Sequence, residues 1–168
     1  MIVIVFGVSG AGKTTIGKLL SYELGWHFYE ADDFHSRANI EKMRRPESSG
    51  LTDEDRWPWL ENLRELLQRC VEASENAVLA CSALKRAYRE RLRVSDEVKF
   101  VFLRGDYALI EKQLRQRRGH FMNPELLRSQ FADLEEPNDA VVVGIDQPVE
   151  AIVAEIKRRL GSDRSHVE

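Results

Sequence analysis

The stretch IVIVFGVSGAGKTTIGKLLSYEL, from Ile2 to Leu24, decides the fold. It opens with the unbroken apolar run IVIVF, which is the pattern of a strand buried on both faces of a parallel sheet. Next come Gly7, Val8, Ser9, Gly10, Ala11, Gly12, Lys13, Thr14 and Thr15, which complete the pattern GxxxxGK[ST], and then the helical run IGKLLSYEL. Strand, glycine loop and helix in this order aim backbone N–H groups and the positive end of the helix at one point, where phosphates can sit. The glycines at 7, 10 and 12 let the backbone turn tightly and approach the anion without a Cβ in the way. Lys13 is then expected to reach the β- and γ-phosphates, and the Thr14 hydroxyl to ligand Mg²⁺. A chance GKT in a glycine-rich turn would account for neither the strand before it nor the helix after it.

Working outward, apolar runs recur at Ala77 to Cys81, Val98 to Leu103 and Ala140 to Ile145, with a shorter HFYE at His27 to Glu30. Between them Leu60, Leu63, Leu67, Cys70 and Val71 recur at helical spacing, as do Val149, Ile152, Val153, Ile156 and Leu160. Gly25 reads as a helix stop, Pro58 as a residue of a first helical turn, and Pro148 as the start of the last helix. Strand alternating with helix, with no hairpin dipeptide between apolar runs, predicts an α/β fold with a parallel sheet covered on both faces. The polar stretch Arg44 to Asp55 reads as an exposed loop and Gly161 to Glu168 as a frayed tail.

A chain of 168 residues, 43% hydrophobic and 32% charged, is expected to form one domain over 1–168 with a core of its own. Its formal charge of −3 argues against a general nucleic-acid binder or a membrane-surface protein. The first core strand starts at Ile2 and no apolar run approaches a membrane span, so the expected location is cytoplasmic. Cys70 in a helical pattern and Cys81 at the end of a strand read as packed thiols rather than a disulfide.

A phosphate loop alone does not choose between a phosphotransferase, a motor and a switch. The chain has no NKxD element of the guanine-specific kind, and instead carries EADDFH, Glu30 to His35, directly after the second strand. Ligands of open parallel sheets bind beyond the carboxyl ends of the strands, so these acids are expected near the phosphates. One carboxylate there can orient and deprotonate an acceptor hydroxyl, and another can hold Mg²⁺ through water. Asp32 and Asp33 can also be read as capping or loop-stabilising acids. CSALKRAYR places Ser82, Lys85, Arg86 and Arg89 at the start of a helix, where cations oppose the macrodipole unless an anion lies nearby; Arg86 reads better as part of a solvated face. RQRRGHFM, Arg115 to Met122, has the composition of a lid whose guanidinium closes over transferring phosphoryl oxygens, with His120 either packing the lid or touching the acceptor.

Taken together, GVSGAGKTT, ADDFH with NIEKM, LTDEDRWPWL, CSALKRAYR, FVFLRG, GHFM with LLRSQFADLEEP, and VVGIDQP make the chain resemble the small P-loop gluconokinases, relatives of shikimate and adenylate kinases. The resemblance covers nearly the whole length. It implies a P-loop NTPase three-layer sandwich: a five-stranded parallel sheet flanked by helices, with a small lid at about 117–124 and an acceptor-side loop at about 35–57. It also implies transfer of the ATP γ-phosphoryl group to the 6-hydroxyl of D-gluconate, with Mg²⁺, in a homodimer. By the same resemblance Asp32 is the acceptor-positioning base, and Lys13, Asp32 and Arg117 form the catalytic set. Glu30 joins Thr14 near the metal, and His35, Ser82 and His120 face the acceptor. Arg56, Lys85 and Arg89 handle its carboxylate or hydroxyls in no set order, and Ile145 to Pro148 passes the adenine. The chain departs from the family pattern in KMRRPESSGLTDEDR, longer by two residues with Gly50 where a proline is usual, in the lid proline of GHFMNPELL, and in Gly144 where an acid is often found. Two other readings stay open: a kinase for another small polyol acid or sugar, and a nucleotide-binding regulatory protein without catalysis.

Overall fold

The computed structural model describes residues 1–45, 50–117 and 123–162. Five strands form one parallel sheet: β1 (Ile2–Phe6), β2 (His27–Glu30), β3 (Ala77–Cys81), β4 (Val98–Arg104) and β5 (Val141–Gly144), in the order β2-β3-β1-β4-β5. β1 is central, with Ile4 in register with Leu79 on one side and Phe100 on the other. Every β1 side chain is buried, which is why its sequence is continuously apolar rather than alternating.

The pleat sends successive β1 residues to opposite faces. Ile2, Ile4 and Phe6 pack under α3 (Asp53–Glu72) and α4 (Arg86–Leu92), against Leu60, Leu63, Leu67 and Leu92. Val3 and Val5 pack under α1 (Lys13–Leu24) and α7 (Val149–Ser162), against Ile16, Leu20, Val153 and Ile156. Two helical layers therefore enclose the sheet, as the alternating pattern predicted. The remaining helices are α2 (Arg37–Arg44), α5 (Tyr107–Gln116) and α6 (Pro124–Asp133), and a 3-10 turn over Ala31–Phe34 follows β2. No helix among the described residues is long and apolar enough to cross a membrane. Both thiols are buried and free.

Three expectations need correction. α3 starts at Asp53, because the Thr52 hydroxyl accepts the Asp55 N–H while the Asp55 carboxylate accepts the Thr52 N–H, a capping box that fixes the helix start. Pro58 therefore lies inside the helix rather than in its first turn. The polar stretch from Arg44 to Asp55 is correspondingly shorter as a loop: Arg44 ends α2, and Asp53 to Asp55 belong to α3. Gly161, expected to open a frayed tail, belongs to α7, which continues to Ser162; the rest of that stretch, residues 163–168, lies outside the described ones. Gly25, in the left-handed conformation at φ 68°, ends α1 as expected.

Candidate active site

Because all strands are parallel, their carboxyl ends share one edge, and a cleft of about 370 Å³ opens there. The phosphate loop forms its floor. Gly12 caps α1 at φ 93°, a left-handed conformation that turns the chain into the helix, and lines the cleft. Gly10 is also left-handed, at φ 83°, and a Cβ there would meet Leu114 of α5 at 2.6 Å, so α5 can rest on the loop only if this residue is glycine. Ser9, Gly10, Gly12, Lys13 and Thr14 line the cleft, Val8 and Ala11 are buried behind it, Gly7 leads in from β1, and Thr15 is exposed on α1. The Lys13 ammonium folds back over the loop to donate to the Val8 carbonyl at 3.0 Å. Burial lowers its pKa, Asp32 pulls it back up, and Arg117 adds to the lowering.

The Thr14 hydroxyl donates to the Glu30 carboxylate at 2.6 Å. Burial raises the Glu30 pKa against the pull of that hydrogen bond. Asp32 lies on the 3-10 turn just beyond, and this turn is held from α3 by the Trp59 indole N–H, which donates to the Ala31 carbonyl at 2.7 Å. His35 stacks on Trp59 with ring centroids 4.2 Å apart and planes within 11°, and burial lowers its pKa, which favours the neutral imidazole. Arg56, Ser82 and Arg117 complete the set that faces the cleft.

Two expected acceptor cations are placed elsewhere. Lys85 donates to the Asp53 carboxylate at 3.0 and 3.2 Å and does not line the cleft. Asp53 also accepts from the Tyr88 hydroxyl, and these two bonds hold its pKa down. The anion that the cations of CSALKRAYR called for is thus the protein's own Asp53. Arg89 is buried and donates to the carbonyls of Ala83, Leu84 and Glu135 at 2.9, 2.9 and 2.7 Å, with its guanidinium over the Phe6 ring. Buried and bonded to three backbone carbonyls, it ties loops together rather than lining the cleft. Arg86 pairs with Glu90 on the exposed face of α4, the solvated reading. Asp33 is exposed beside Lys18 and outside the main cleft. His120 lies outside the described residues, as do 118–122 of the expected lid.

A family model described as shikimate kinase matches residues 9–161. Gluconokinase from Gluconobacter oxydans strain 621H is 47% identical over 147 residues, covering 87% of this chain and 78% of that protein. Among solved structures, a sugar kinase from Janibacter sp. HTCC2649 is 43% identical with a TM-score of 0.87, covering 95% of this chain and 94% of that one. A gluconokinase from Sinorhizobium meliloti 1021 is 36% identical with a TM-score of 0.84, covering 99% and 97%. The chain belongs to the shikimate kinase family of the matching model and, within it, to the gluconokinases. The resemblance drawn from the sequence motifs is thereby borne out, as is the fold of a P-loop kinase.

The gluconokinase cleft has walls to which sequence reasoning assigned no role. Trp59, Leu126, Ser129, Gln130 and Asp133 all line it. They lie within quoted motifs, LTDEDRWPWL and LLRSQFADLEEP, yet in a helix an uncharged polar residue such as Gln130 gives no pattern that separates a cleft-facing position from a solvated one.

Proposed function

We propose that this gluconokinase-family protein transfers the γ-phosphoryl group of Mg·ATP to the 6-hydroxyl of D-gluconate. The observation that carries the reading is the meeting, in one cleft, of the phosphate loop with Lys13 and Thr14, a carboxylate at Asp32, and a half-buried cation at Arg56. A binder that only held nucleotide would need the first of these and neither of the others.

Lys13 neutralises β- and γ-phosphate charge, and the partial desolvation that lowers its pKa also strengthens its field on the transferring group. Asp32 accepts the proton of the acceptor hydroxyl and orients it in line. Arg117, at the C-terminal end of α5, supplies a guanidinium to the equatorial oxygens. Thr14 and Glu30 present hard oxygens 2.6 Å apart beside the loop, a donor set that suits Mg²⁺, which takes its other ligands from water and phosphate. Held there by Thr14 and Glu30, the ion would supply neutralisation of the charge that develops on the transferred group.

Arg56 is the cation assigned to the gluconate carboxylate. Its guanidinium donates to the Tyr88 hydroxyl at 3.2 Å, which fixes its direction while leaving other N–H groups for a bidentate contact. Lys85, engaged by Asp53, supports this arrangement from behind. His35, neutral and stacked on Trp59, and Ser82 serve the polyol hydroxyls.

The test is ADP release from Mg·ATP with D-gluconate, glycerate, shikimate, glucose and AMP offered singly. The reading expects stimulation by gluconate well above the others. Stimulation by a different acceptor would overturn the substrate, and silence across the panel with ATP still bound would overturn catalysis.

A further inference from the structure

α6 bridges the two halves of the cleft. At its centre the Ser9 backbone N–H donates to Gln130 Oε1 at 2.7 Å, and Gln130 Nε2 donates to Ser9 Oγ at 3.0 Å. A carboxamide is the one neutral side-chain head that can accept from an N–H and donate to an oxygen side by side. The partners are 121 positions apart, so this is a tertiary contact made only when α6 sits on the phosphate loop. At the far end, Glu135 donates its N–H to the Leu84 carbonyl at 2.9 Å and accepts from Arg89 at 2.7 Å. That end is therefore tied to the loop after β3, which carries Ser82. Asp133, between the two anchors, lines the cleft, as do Leu126 and Ser129 earlier on the helix.

Ser9 is itself a sensitive point of attachment. It lies between Val8, whose carbonyl receives Lys13, and Gly10, on which Leu114 of α5 rests. α5 and α6 thus press on neighbouring residues of the phosphate loop, α5 through apolar contact and α6 through the Gln130 carboxamide.

We propose that Gln130 is a positioning residue that registers the acceptor wall of the cleft against the phosphate loop, so that Ser129 and Asp133 stand at the right distance from the transferred group. The inference rests on the gluconate kinase reading above. Gln130 does its work through α6 and the loop, and its loss weakens hold on the acceptor more than hold on the nucleotide.

The experiment compares the wild type with Gln130→Met, which keeps length and bulk without the two hydrogen bonds, and Gln130→Glu, whose carboxylate can accept from both the Ser9 N–H and the Ser9 hydroxyl. Steady-state kinetics with gluconate and direct binding of a non-hydrolysable ATP analogue are the readouts. Loss of two neutral hydrogen bonds predicts a rise of about tenfold in the gluconate KM of Gln130→Met. The analogue's Kd should stay within about twofold of wild type, and Gln130→Glu should recover the gluconate KM to within about threefold. A Gln130→Met enzyme with wild-type gluconate KM would overturn the proposal. So would parallel losses in gluconate KM and analogue Kd, or a Gln130→Glu enzyme no better than Gln130→Met, since a merely structural role moves all parameters together. Wild-type turnover with gluconate is scored first: its absence sinks the function reading and this inference with it, whereas an active wild type with unaffected variants sinks this inference alone.

Discussion

Thr14 and Glu30 join the first turn of α1 to the end of β2 through a single hydrogen bond of 2.6 Å. The hydroxyl that the phosphate-loop pattern reserves for the metal and the acid that ends the second strand are therefore one unit. Glu30→Gln keeps the hydrogen-bonding shape and removes the charge. It should raise the Mg²⁺ concentration needed for half-maximal turnover by about tenfold, in the range found when groups supporting a metal are replaced. A Mg²⁺ titration at saturating ATP and gluconate reads this directly, and an unchanged midpoint would remove Glu30 from the metal site.

Asp32 and Lys13 should fail in different ways. Lys13→Met is expected to cost about 3–4 kcal/mol of transition-state stabilisation, the usual loss for a preorganised charge-stabilising group. Asp32→Asn should depress kcat strongly while nucleotide affinity stays near wild type, because the carboxylate is assigned to the acceptor hydroxyl alone. Equal losses in kcat and ATP affinity for Asp32→Asn would contradict that assignment.

Arg56 and Lys85 are separated by what already holds them. Both pair with Asp53, but Arg56 does so at 3.9 Å while facing the cleft, whereas Lys85 donates to that carboxylate at 3.0 and 3.2 Å and lies outside it. Arg56→Lys should raise the gluconate KM by about tenfold or more, since an ammonium cannot replace a bidentate guanidinium. Lys85→Met should have a smaller effect, and the preference for gluconate over an uncharged sugar alcohol of the same length should fall only in the Arg56 variant. The reverse order would transfer the carboxylate to Lys85.

The link between α2 and α3 predicts a pH effect on stability. The Lys42 ammonium donates to Asp55, and with help from the Thr52 N–H this holds the Asp55 carboxyl at about 2, below its ordinary 3.8. A depressed acid contributes stability that is present above its unfolded value and is lost as pH falls through its folded one. Urea midpoints should therefore decline between about pH 4 and pH 2. Lys42→Met lets the carboxyl rise toward its ordinary value, so its midpoint should be lower at neutral pH and decline less steeply across that window.

How far the sequence could be read depends on what each residue is bonded to. β1 was legible because burial on both faces leaves no polar position in Ile2 to Phe6. The phosphate loop was legible because its spacing is imposed by a backbone path through Gly10 and Gly12 that other residues resist. The start of α3 was misplaced because Pro58 drew attention away from the reciprocal bonds of Thr52 and Asp55, which stand before it in the chain. Arg89 looked like a ligand-binding cation because its actual partners are backbone carbonyls, one of them 46 positions away, and backbone carries no sequence signal. Lys85 misled for a related reason, its counterion lying 32 positions back on another helix. Gln130 was invisible in the same sense, since half of its contact is the Ser9 N–H, a group every residue but proline possesses.

The most direct test of the central assignment is the identity of the phosphorylated product. After incubation of the protein with Mg·ATP and D-gluconate, proton-coupled phosphorus NMR should show a new phosphomonoester split by a methylene group, which places the phosphoryl group on the 6-hydroxyl. A phosphorus signal split by a single methine proton would move the transfer to another carbon, and formation of inorganic phosphate alone would contradict transfer to gluconate altogether.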